Sequence, residues 1–433
     1  MKRLLAAMLL AGAALPAAAA PTAIIGATIL TARGETVIDG GTLVFDNGRI
    51  TAVGSQVPVP AGATVIDGKG RILTPGIIAA ASDLGIAEVT GVRETNDDNA
   101  RQSAFSAALD LSTAVNPRSL HIAISRMAGV TRAAVLPDGG NSIFAGQGTV
   151  ISLGVGGPTV VRARAMQYME MGETGARIAG GSRPAAWAQL ANMLAEAQRL
   201  AANPAGFDRG QVTGALAKRL DAEALAHVLD GRQALFIHAD RASDISEVLK
   251  LKARYPAIRP VLLGGREAWL VASDIARAGV PVITHSLYDL PDDFESLAST
   301  RNNIGHLQAA GVIVAIGPLG GVGGTTPVNL PGYAGNAVAQ ARVPGGKGLT
   351  RGQALAAITA NPARILGLAD TGTLEVGKRA DLVLWDGDPL ELTSTPVAVW
   401  IDGAAQPMTS RQTELANRYK ALGRTDLPLQ YPR

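Results

Sequence analysis

The sequence predicts a mixed α/β protein in which a large domain of alternating strands and helices lies between two β-rich ends. Between residues 75 and 366, short apolar runs alternate with alanine-rich helical stretches, which indicates parallel strands joined by crossover helices. Eight such units need roughly 250 residues, so a barrel fits this span, and an open doubly wound sheet is the alternative. A Gly-x-Gly-x-x-Gly turn is absent from the sequence, so a dinucleotide-binding version of the open sheet has no support.

Composition excludes several classes of protein and of site. Of the 433 residues, 47% are hydrophobic and 17% charged, which excludes a disordered chain. The formal net charge of +3 offers no electrostatic surface for nucleic acid or for an anionic membrane, so the expected partner is a small molecule. The chain has no cysteine, which excludes disulfides, thiolate zinc sites, iron–sulfur clusters and a cysteine nucleophile.

The first residues have the pattern of a secretory signal peptide. Lys2 and Arg3 precede an apolar stretch over 4–15, and Pro16 and four alanines follow. We expect cleavage after Ala19, which makes residues 1–19 a signal peptide. A membrane anchor is the alternative, but the apolar stretch is short for a bilayer. The expected location is the periplasm, with secretion as second choice.

The two ends of the mature chain read as short strands. In residues 20–74, strand-like runs flank Asp46-Asn47-Gly48, a hairpin turn in which Asn and Gly tolerate positive φ. In residues 367–405, the strand-like runs are joined by glycine-rich turns. We expect the two ends to pair into one small discontinuous β domain, followed in residues 406–433 by a helix and an irregular tail.

The large domain supplies clear candidates for both element types. The strand candidates are 132–136, 234–238, 260–263, 281–284 and 312–316. The helix candidates are 184–202, 222–229, 244–255 and 268–278.

Four segments resemble the amidohydrolase superfamily. Residues 72–85, ILTPGIIAAASDLG, resemble the entry into its barrel, and residues 360–390 resemble its exit segment. Residues 129–148 and 235–245 resemble the branch near imidazolonepropionases. The resemblance implies a TIM (β/α)8-type barrel over 75–366 with a small discontinuous β-sandwich formed by both ends. The resemblance also implies an oligomer, formed either by copies of this chain or with a homologous partner.

The resemblance implies hydrolysis of a carbon–nitrogen bond outside ordinary peptides, such as a cyclic amide or a modified dipeptide. In that family, one or two divalent metals such as zinc activate water, and a carboxylate moves the proton. The usual ligands are a His-x-His after the first strand, a histidine on each of the fifth and sixth strands, and an aspartate on the eighth.

This sequence departs from that ligand pattern. The His-x-His position reads Ala81-Ser82-Asp83, the sixth-strand position is Gly264, and the eighth-strand position falls at Leu319. The fifth-strand histidine alone is kept, as His238. We therefore expect a degenerate metal site and no cofactor. A zinc site could be built only by a new arrangement of three of the histidines 121, 238, 285 and 306.

The candidate catalytic residues are His238, Asp83 and Asp240. Asp83 and Asp240 could do acid–base work as a pair if burial splits their pKa values. The candidate substrate-binding residues are His285, which follows a strand, and Asn141 and Gln147 in a glycine-bearing loop.

Two functions remain open at this point. By resemblance the chain is an exported hydrolase of non-peptide carbon–nitrogen bonds. The alternative is a catalytically inactive barrel that binds a small molecule or serves as a partner scaffold, because a fold does not by itself confer function.

Overall fold

A computed structural model describes residues 20–89, 91–208, 217–317 and 326–420. The expected signal peptide, Leu319 and residues 421–433 of the expected tail lie outside these ranges.

The strands of the described chain form two sheets. In chain order the strands are β1 Thr22–Leu30, β2 Val37–Asp46, β3 Arg49–Gly54, β4 Thr64–Asp67, β5 Ile72–Pro75, β6 Ile77–Ser82, β7 Val130–Val135, β8 Phe144–Ser152, β9 Val160–Glu170, β10 Ala234–Ala239, β11 Arg259–Gly264, β12 Val282–Thr284, β13 Val314–Ile316, β14 Leu382–Trp385, β15 Pro396–Ile401 and β16 Ala404–Ala405.

Helices connect and cover the strands. They are α1 Leu120–Met127, α2 Gly172–Ile178, α3 Arg183–Ala202, α4 Pro204–Asp208, α5 Arg219–Leu229, α6 Ala242–Arg254, α7 Ala272–Ala278, α8 Asn303–Ala309, α9 Leu330–Gln340, α10 Arg351–Ala357, α11 Ala360–Ile365 and α12 Arg411–Lys420. Within the described ranges, none of them is long and apolar enough to cross a bilayer.

The large domain is a nearly closed barrel of eight described strands, ordered from β6 to β13 as in the chain. The amide of Ile78 donates to the carbonyl of Ile358 (2.9 Å), and Nδ2 of Asn361 donates to the carbonyl of Val314 (2.7 Å). The segment before and within α11 therefore bridges the gap between the first and last strands. The predicted barrel is confirmed, and the open doubly wound sheet is not what forms.

One strand of the barrel runs against the others. Strand β8 pairs antiparallel with both β7 and β9, while every other neighbouring pair is parallel. Strands β8 and β9 form a long hairpin, so the chain enters β9 without a crossover helix. The sequence predicted strands that alternate with helices in this domain, and it did not predict this hairpin.

Two apolar layers hold the barrel. Phe236, Val261 and Ile283 belong to the inner layer, to which alternate residues of the strands contribute. The residues between them on each strand pack outward against the helices, as Leu235 and Leu262 do. Alternating side chains on a strand point to opposite faces, so continuous apolar strands with both faces buried are what this arrangement needs.

The two chain ends form one sheet, in which β14, from the C-terminal end, pairs antiparallel with β5. Strand β1 pairs with β2 on one side and, in succession, with β4 and β5 on the other. The turn between β2 and β3 has Asn47 at φ 47° and Gly48 at φ 77°, as the Asn-Gly signal predicts.

A buried ion pair joins the barrel to the terminal sheet. Nε of Arg132, in β7, donates to Oδ2 of Asp381 at 2.7 Å, and both side chains are almost fully buried. Nη2 of the same guanidinium reaches Oδ1 of Asp402 at 2.8 Å. This contact fixes how the second sheet lies against the barrel.

Candidate functional site

A cavity of about 450 Å³ opens at the carboxyl ends of the parallel barrel strands. This is the end at which barrel enzymes carry their chemistry. Two depressions of about 880 and about 620 Å³ are larger, but they lie over helices and loops on the outside of the barrel. The polar and charged residues of the cavity are Asp138, Tyr168, Glu170, Thr174, Arg177, His238, Asp240, Arg266, Thr284, His285, Tyr288, Asp292, Asp293 and Glu295.

His238 lies between two buried carboxylates at the ends of adjacent strands. Its Nδ1 is 2.9 Å from Oε2 of Glu170, the last residue of β9. Its Nε2 is 3.5 Å from Oδ2 of Asp240, which follows β10. The hydroxyl of Tyr168 donates to the second oxygen of Glu170 at 2.6 Å. Both nitrogens of the ring therefore face an anion.

The carboxylates keep this histidine protonated. Burial alone lowers the pKa of His238, but the charges and hydrogen bonds of Glu170 and Asp240 outweigh burial and raise the pKa well above its usual value. In the same way, burial raises the pKa of each carboxyl, and the imidazolium more than reverses this, so both pKa values are lowered. The three groups form a cluster of one cation and two anions, which we call the His238 cluster.

Arg266 ties the His238 cluster to the rim of the cavity. Its backbone amide donates to Oδ1 of Asp240 at 3.1 Å, and its Nε is 3.5 Å from Oδ2. The guanidinium continues to an ion pair with Asp292 and lies 4.3 Å from the ring centre of Tyr288. The position of Asp240 is therefore fixed from two sides.

Gly264 provides the space that the His238 cluster occupies. It has φ +88°, and a Cβ built on it would lie 2.6 Å from Oδ1 of Asp240 and 3.0 Å from Nε2 of His238. A side chain at this position would displace the cluster. This is the position at which the family resemblance implies a histidine ligand.

The residues of the cavity do not fit the divalent metal that the family resemblance implies. The first-strand position holds Ala81, and the sixth-strand position cannot carry a side chain without displacing Asp240. Both nitrogens of His238 already face carboxylates, so neither offers a lone pair. In the described parts of the chain, histidines, aspartates and glutamates nowhere gather in threes with a geometry for a metal ion.

His285 lies across the same cavity in a different environment. It follows β12, is 2% exposed, and has ring contacts with Tyr333 at 4.2 Å and Tyr288 at 5.5 Å between centres. Burial lowers the pKa of His285 to about 4. The cavity thus holds one charged and one neutral histidine at neutral pH.

The structure brings some of the predicted site residues together and separates others. His238, Asp240 and His285 line the cavity, whereas Asp83 is not among the residues that line it. The backbone carbonyl of Asp83 accepts from the amides of Ile86 and Ala87 in the turn after β6. The side chain of Asp240 contacts His238 and Arg266, and its pairing with Asp83 for acid–base work stays a prediction. A catalytic role for Asp83 stays a prediction.

The two predicted loop residues also lie elsewhere. Asn141 borders the depression of about 620 Å³, where its Nδ2 donates to the carbonyl of Ser103 at 2.7 Å. Gln147 lies within β8, where its Oε1 accepts from Gln233 at 3.1 Å and its Nε2 donates to Ala108 at 3.2 Å. Neither is among the residues lining the cavity, so their substrate contacts stay predictions.

The remaining histidines do not join the cavity. Nε2 of His121 is 2.7 Å from the carbonyl oxygen of Glu88, and His306 stacks on Trp269 with 5.4 Å between ring centres. Two of the four candidate histidines therefore lie outside the cavity. The remaining two are too few for the three-histidine zinc site considered from the sequence.

Sequence reasoning missed Glu170 and Arg266. Glu170 is the first acidic residue after the uncharged run 165–169, and Arg266 follows the Gly264–Gly265 pair. The available signals were a charged residue at the end of an uncharged run, for Glu170, and a charged residue shortly after the strand candidate 260–263, for Arg266.

Comparison with known proteins decides the family. A model of the "Amidohydrolase family" matches residues 80–405, most of the chain. This protein belongs to the amidohydrolase family. The superfamily resemblance predicted from the sequence is thereby confirmed.

Two curated members resemble this family protein in sequence. "Amidohydrolase tasK" of Hapsidospora irregularis is 25% identical over 402 residues, which cover 84% of this chain and 40% of that protein. An imidazolonepropionase of Cereibacter sphaeroides is 34% identical over 176 residues, which cover 39% of this chain and 40% of that enzyme. The chain thus matches about two fifths of the length of each relative.

Solved structures share the fold of this family member. A crystal structure of an amidohydrolase from Thermotoga maritima superposes with a TM-score of 0.78 at 24% identity, covering 89% of this chain and 99% of that one. Molinate hydrolase superposes with a TM-score of 0.56 at 16% identity, covering 96% and 98%.

Proposed function

We propose that this amidohydrolase-family protein hydrolyses a non-peptide carbon–nitrogen bond in the cavity of about 450 Å³. Cyclic amides and modified dipeptides are the substrate classes to test first. The observation that carries the proposal is the His238 cluster, which places a proton donor beside a proton acceptor at the carboxyl ends of the strands. Family membership supports the type of reaction.

The His238 cluster has the two groups that this hydrolysis needs. Water forms a bond from its oxygen to the carbonyl carbon while its proton passes to the carboxylate of Asp240. The carbon–nitrogen bond then breaks as the imidazolium of His238 gives its proton to the leaving nitrogen. Transfer of the proton from Asp240 to His238 restores the starting state. Glu170 keeps the ring oriented throughout and favours the return of its proton.

We further propose that this reaction proceeds without a resident divalent metal. The support is the donor chemistry of the cavity: an alanine and a glycine stand at two ligand positions, and an imidazolium occupies the space between the two carboxylates. The imidazolium supplies the positive charge that balances Glu170 and Asp240. A metal ion in that place would have to displace the ring.

The proposal is tested by measuring turnover with the full-length chain, expressed in a host that can export it. Hydantoin, glutarimide and N-formyl dipeptides are incubated with the protein, and the ring-opened or deformylated products are measured by mass spectrometry. His238→Gln and Asp240→Asn should each lower kcat at least about 100-fold. The matched control is His227→Gln, which changes an exposed histidine on α5 outside the cavity and should leave the rate unchanged.

Three outcomes would contradict the proposal. No turnover of any compound in the panel would favour the inactive binding barrel. Equal rates for His238→Gln and the wild type would show that the His238 cluster takes no part in the reaction. Loss of turnover upon chelation, with metal measured at about one ion per chain, would overturn the metal-independent route.

We also propose that the protein is exported to the periplasm, on the basis of the leader pattern in residues 1–19. Fractionation of the producing cells with N-terminal sequencing of the product tests this. A mature chain that begins at Ala20 in the periplasmic fraction is expected. An uncleaved chain in the cytoplasm would contradict export.

A further inference from the structure

His285 presents one ring nitrogen to the protein backbone and leaves the other without a partner. The amide of Leu287 donates to Nδ1 at 3.1 Å. An amide can only donate, so Nδ1 carries a lone pair and, in the neutral ring, the proton is on Nε2. Nε2 is buried and has no hydrogen-bond partner among the described residues. A buried N–H without an acceptor is costly, so a geometry of this kind needs a reason.

The surroundings of His285 keep the ring in place and uncharged. Tyr333 contacts it at an interplanar angle of 71° and Tyr288 at 58°, which fixes the plane of the ring. Burial holds the pKa of His285 at about 4, so the ring is neutral at physiological pH. The result is a rigid, uncharged N–H donor in the wall of the cavity that also contains the His238 cluster.

We infer that the Nε2–H of His285 donates a hydrogen bond to the carbonyl oxygen of the substrate. The inference rests on the proposed function and deepens it, because it names the group of the substrate that this histidine binds. As water adds to the carbonyl carbon, negative charge moves to the carbonyl oxygen, and a fixed donor stabilises it. His238 then gives a proton to the leaving nitrogen, and Asp240 takes a proton from water. Each of the three residues therefore acts on a different atom.

The charges around His285 select the chemical class of the ligand. Six carboxylates line the cavity, namely Asp138, Glu170, Asp240, Asp292, Asp293 and Glu295. They are opposed by Arg177, Arg266 and the protonated His238. A ligand carboxylate would meet this excess of negative charge and find only a neutral donor at His285. We therefore expect an uncharged amide, lactam or imide carbonyl to bind, and the carboxylate product to leave.

Nitrogen-15 NMR of the histidine side chains in the full chain tests the inference directly. The tautomer is read first, and a proton on Nδ1 of His285 would overturn the inference at once. The chain is then titrated with glutarimide and, separately, with glutarate, which share a carbon skeleton but differ in charge. Glutarimide should shift the Nε2–H resonance of His285 downfield, and glutarate should not. The resonances of His238 report independently whether the cavity is occupied.

Each result of the titration has a meaning. Glutarimide that shifts His238 but not His285 would overturn the inference, and so would glutarimide that shifts neither ring. Equal responses to glutarimide and glutarate would overturn the selection for an uncharged carbonyl. A shift of His285 without any hydrolysis would uphold the donor role and contradict the proposed function, so the two failures are distinguishable.

Two variants separate the N–H donor from the volume of the ring. His285→Phe keeps an aromatic ring beside Tyr288 and Tyr333 but removes the donor, while His285→Gln keeps an amide N–H near the position of Nε2. We expect kcat for the best compound of the panel to fall about 100-fold in His285→Phe with KM little changed, and to recover in part in His285→Gln. Equal kcat values for the two variants, with unchanged thermal stability, would show that the N–H is not used.

Discussion

Gly264 lies where a Cβ atom would come within 2.6 Å of Oδ1 of Asp240. The backbone of β11 therefore ends so close to the carboxylate that only hydrogen fits between them. This contact explains why the sixth barrel strand carries no ligand-bearing side chain. It also makes the glycine a sensitive test of the site.

We predict that Gly264→Ala destabilises the protein and disturbs the His238 cluster. A positive φ costs an alanine about 1–2 kcal/mol, and the contact with Asp240 adds about 1–3 kcal/mol. The control is Gly279→Ala at the end of α7, which has φ +65° but nothing within 4 Å of the added carbon. Urea unfolding should show a larger loss for Gly264→Ala than for Gly279→Ala. Equal losses would mean that the cluster moves aside without cost.

The cluster around His238 should make the protein less stable at high pH. The pKa of His238 is raised above its unfolded value near 6.5, so its stabilisation is complete below that pH. The stabilisation is lost as the pH rises through the folded pKa, because the folded state must then release a proton that the unfolded state has already lost.

Glu170→Gln tests this prediction. The variant removes one of the two anions, so the pKa of His238 should fall, and the decline of the unfolding free energy above pH 6.5 should flatten. Proton NMR of the ring measures the pKa, and urea unfolding at several pH values measures the stability. A wild-type protein whose unfolding free energy rises over this range would contradict the assignment of an imidazolium.

His285 should make the protein less stable at low pH. Its folded pKa of about 4 lies below its unfolded value of 6.5, so its stabilisation is complete above pH 6.5 and is lost as the pH falls towards 4. The loss should amount to about 3 kcal/mol. In His285→Gln this part of the pH dependence should disappear, whereas the control His227→Gln should keep it. Identical pH profiles for the wild type and His285→Gln would refute the buried neutral ring.

The buried ion pair of Arg132 with Asp381 should contribute more to the free energy of unfolding than an exposed ion pair does. Asp381→Asn leaves the guanidinium of Arg132 buried with one anion fewer, and we expect a loss of about 3–5 kcal/mol in the unfolding free energy. The control is Asp274→Asn, which breaks an exposed pair with Arg277 within α7 and should cost less than about 1 kcal/mol. The double variant Arg132→Met, Asp381→Leu should recover part of the loss. A loss below about 1 kcal/mol for Asp381→Asn would mean that solvent reaches the pair.

The sequence by itself determined the architecture, because local patterns carry that information. The run 184–202 has the composition of a helix, and α3 spans Arg183–Ala202. The run 234–238 has the continuous apolar character of a strand buried on both faces, and β10 spans Ala234–Ala239. The entry and exit segments carried the family resemblance, and His238 was placed correctly at the end of its strand.

The tertiary structure decided the chemistry of the site, because the decisive contacts join residues that are far apart in the chain. Glu170 and His238 are separated by 68 positions and meet only when β9 and β10 pair in register. That Asp240 would also contact Arg266 depended on which strands became neighbours, and no local pattern reports this. The state of each histidine was decided in the same way: two carboxylates hold His238 charged, and burial beside Tyr333 holds His285 neutral.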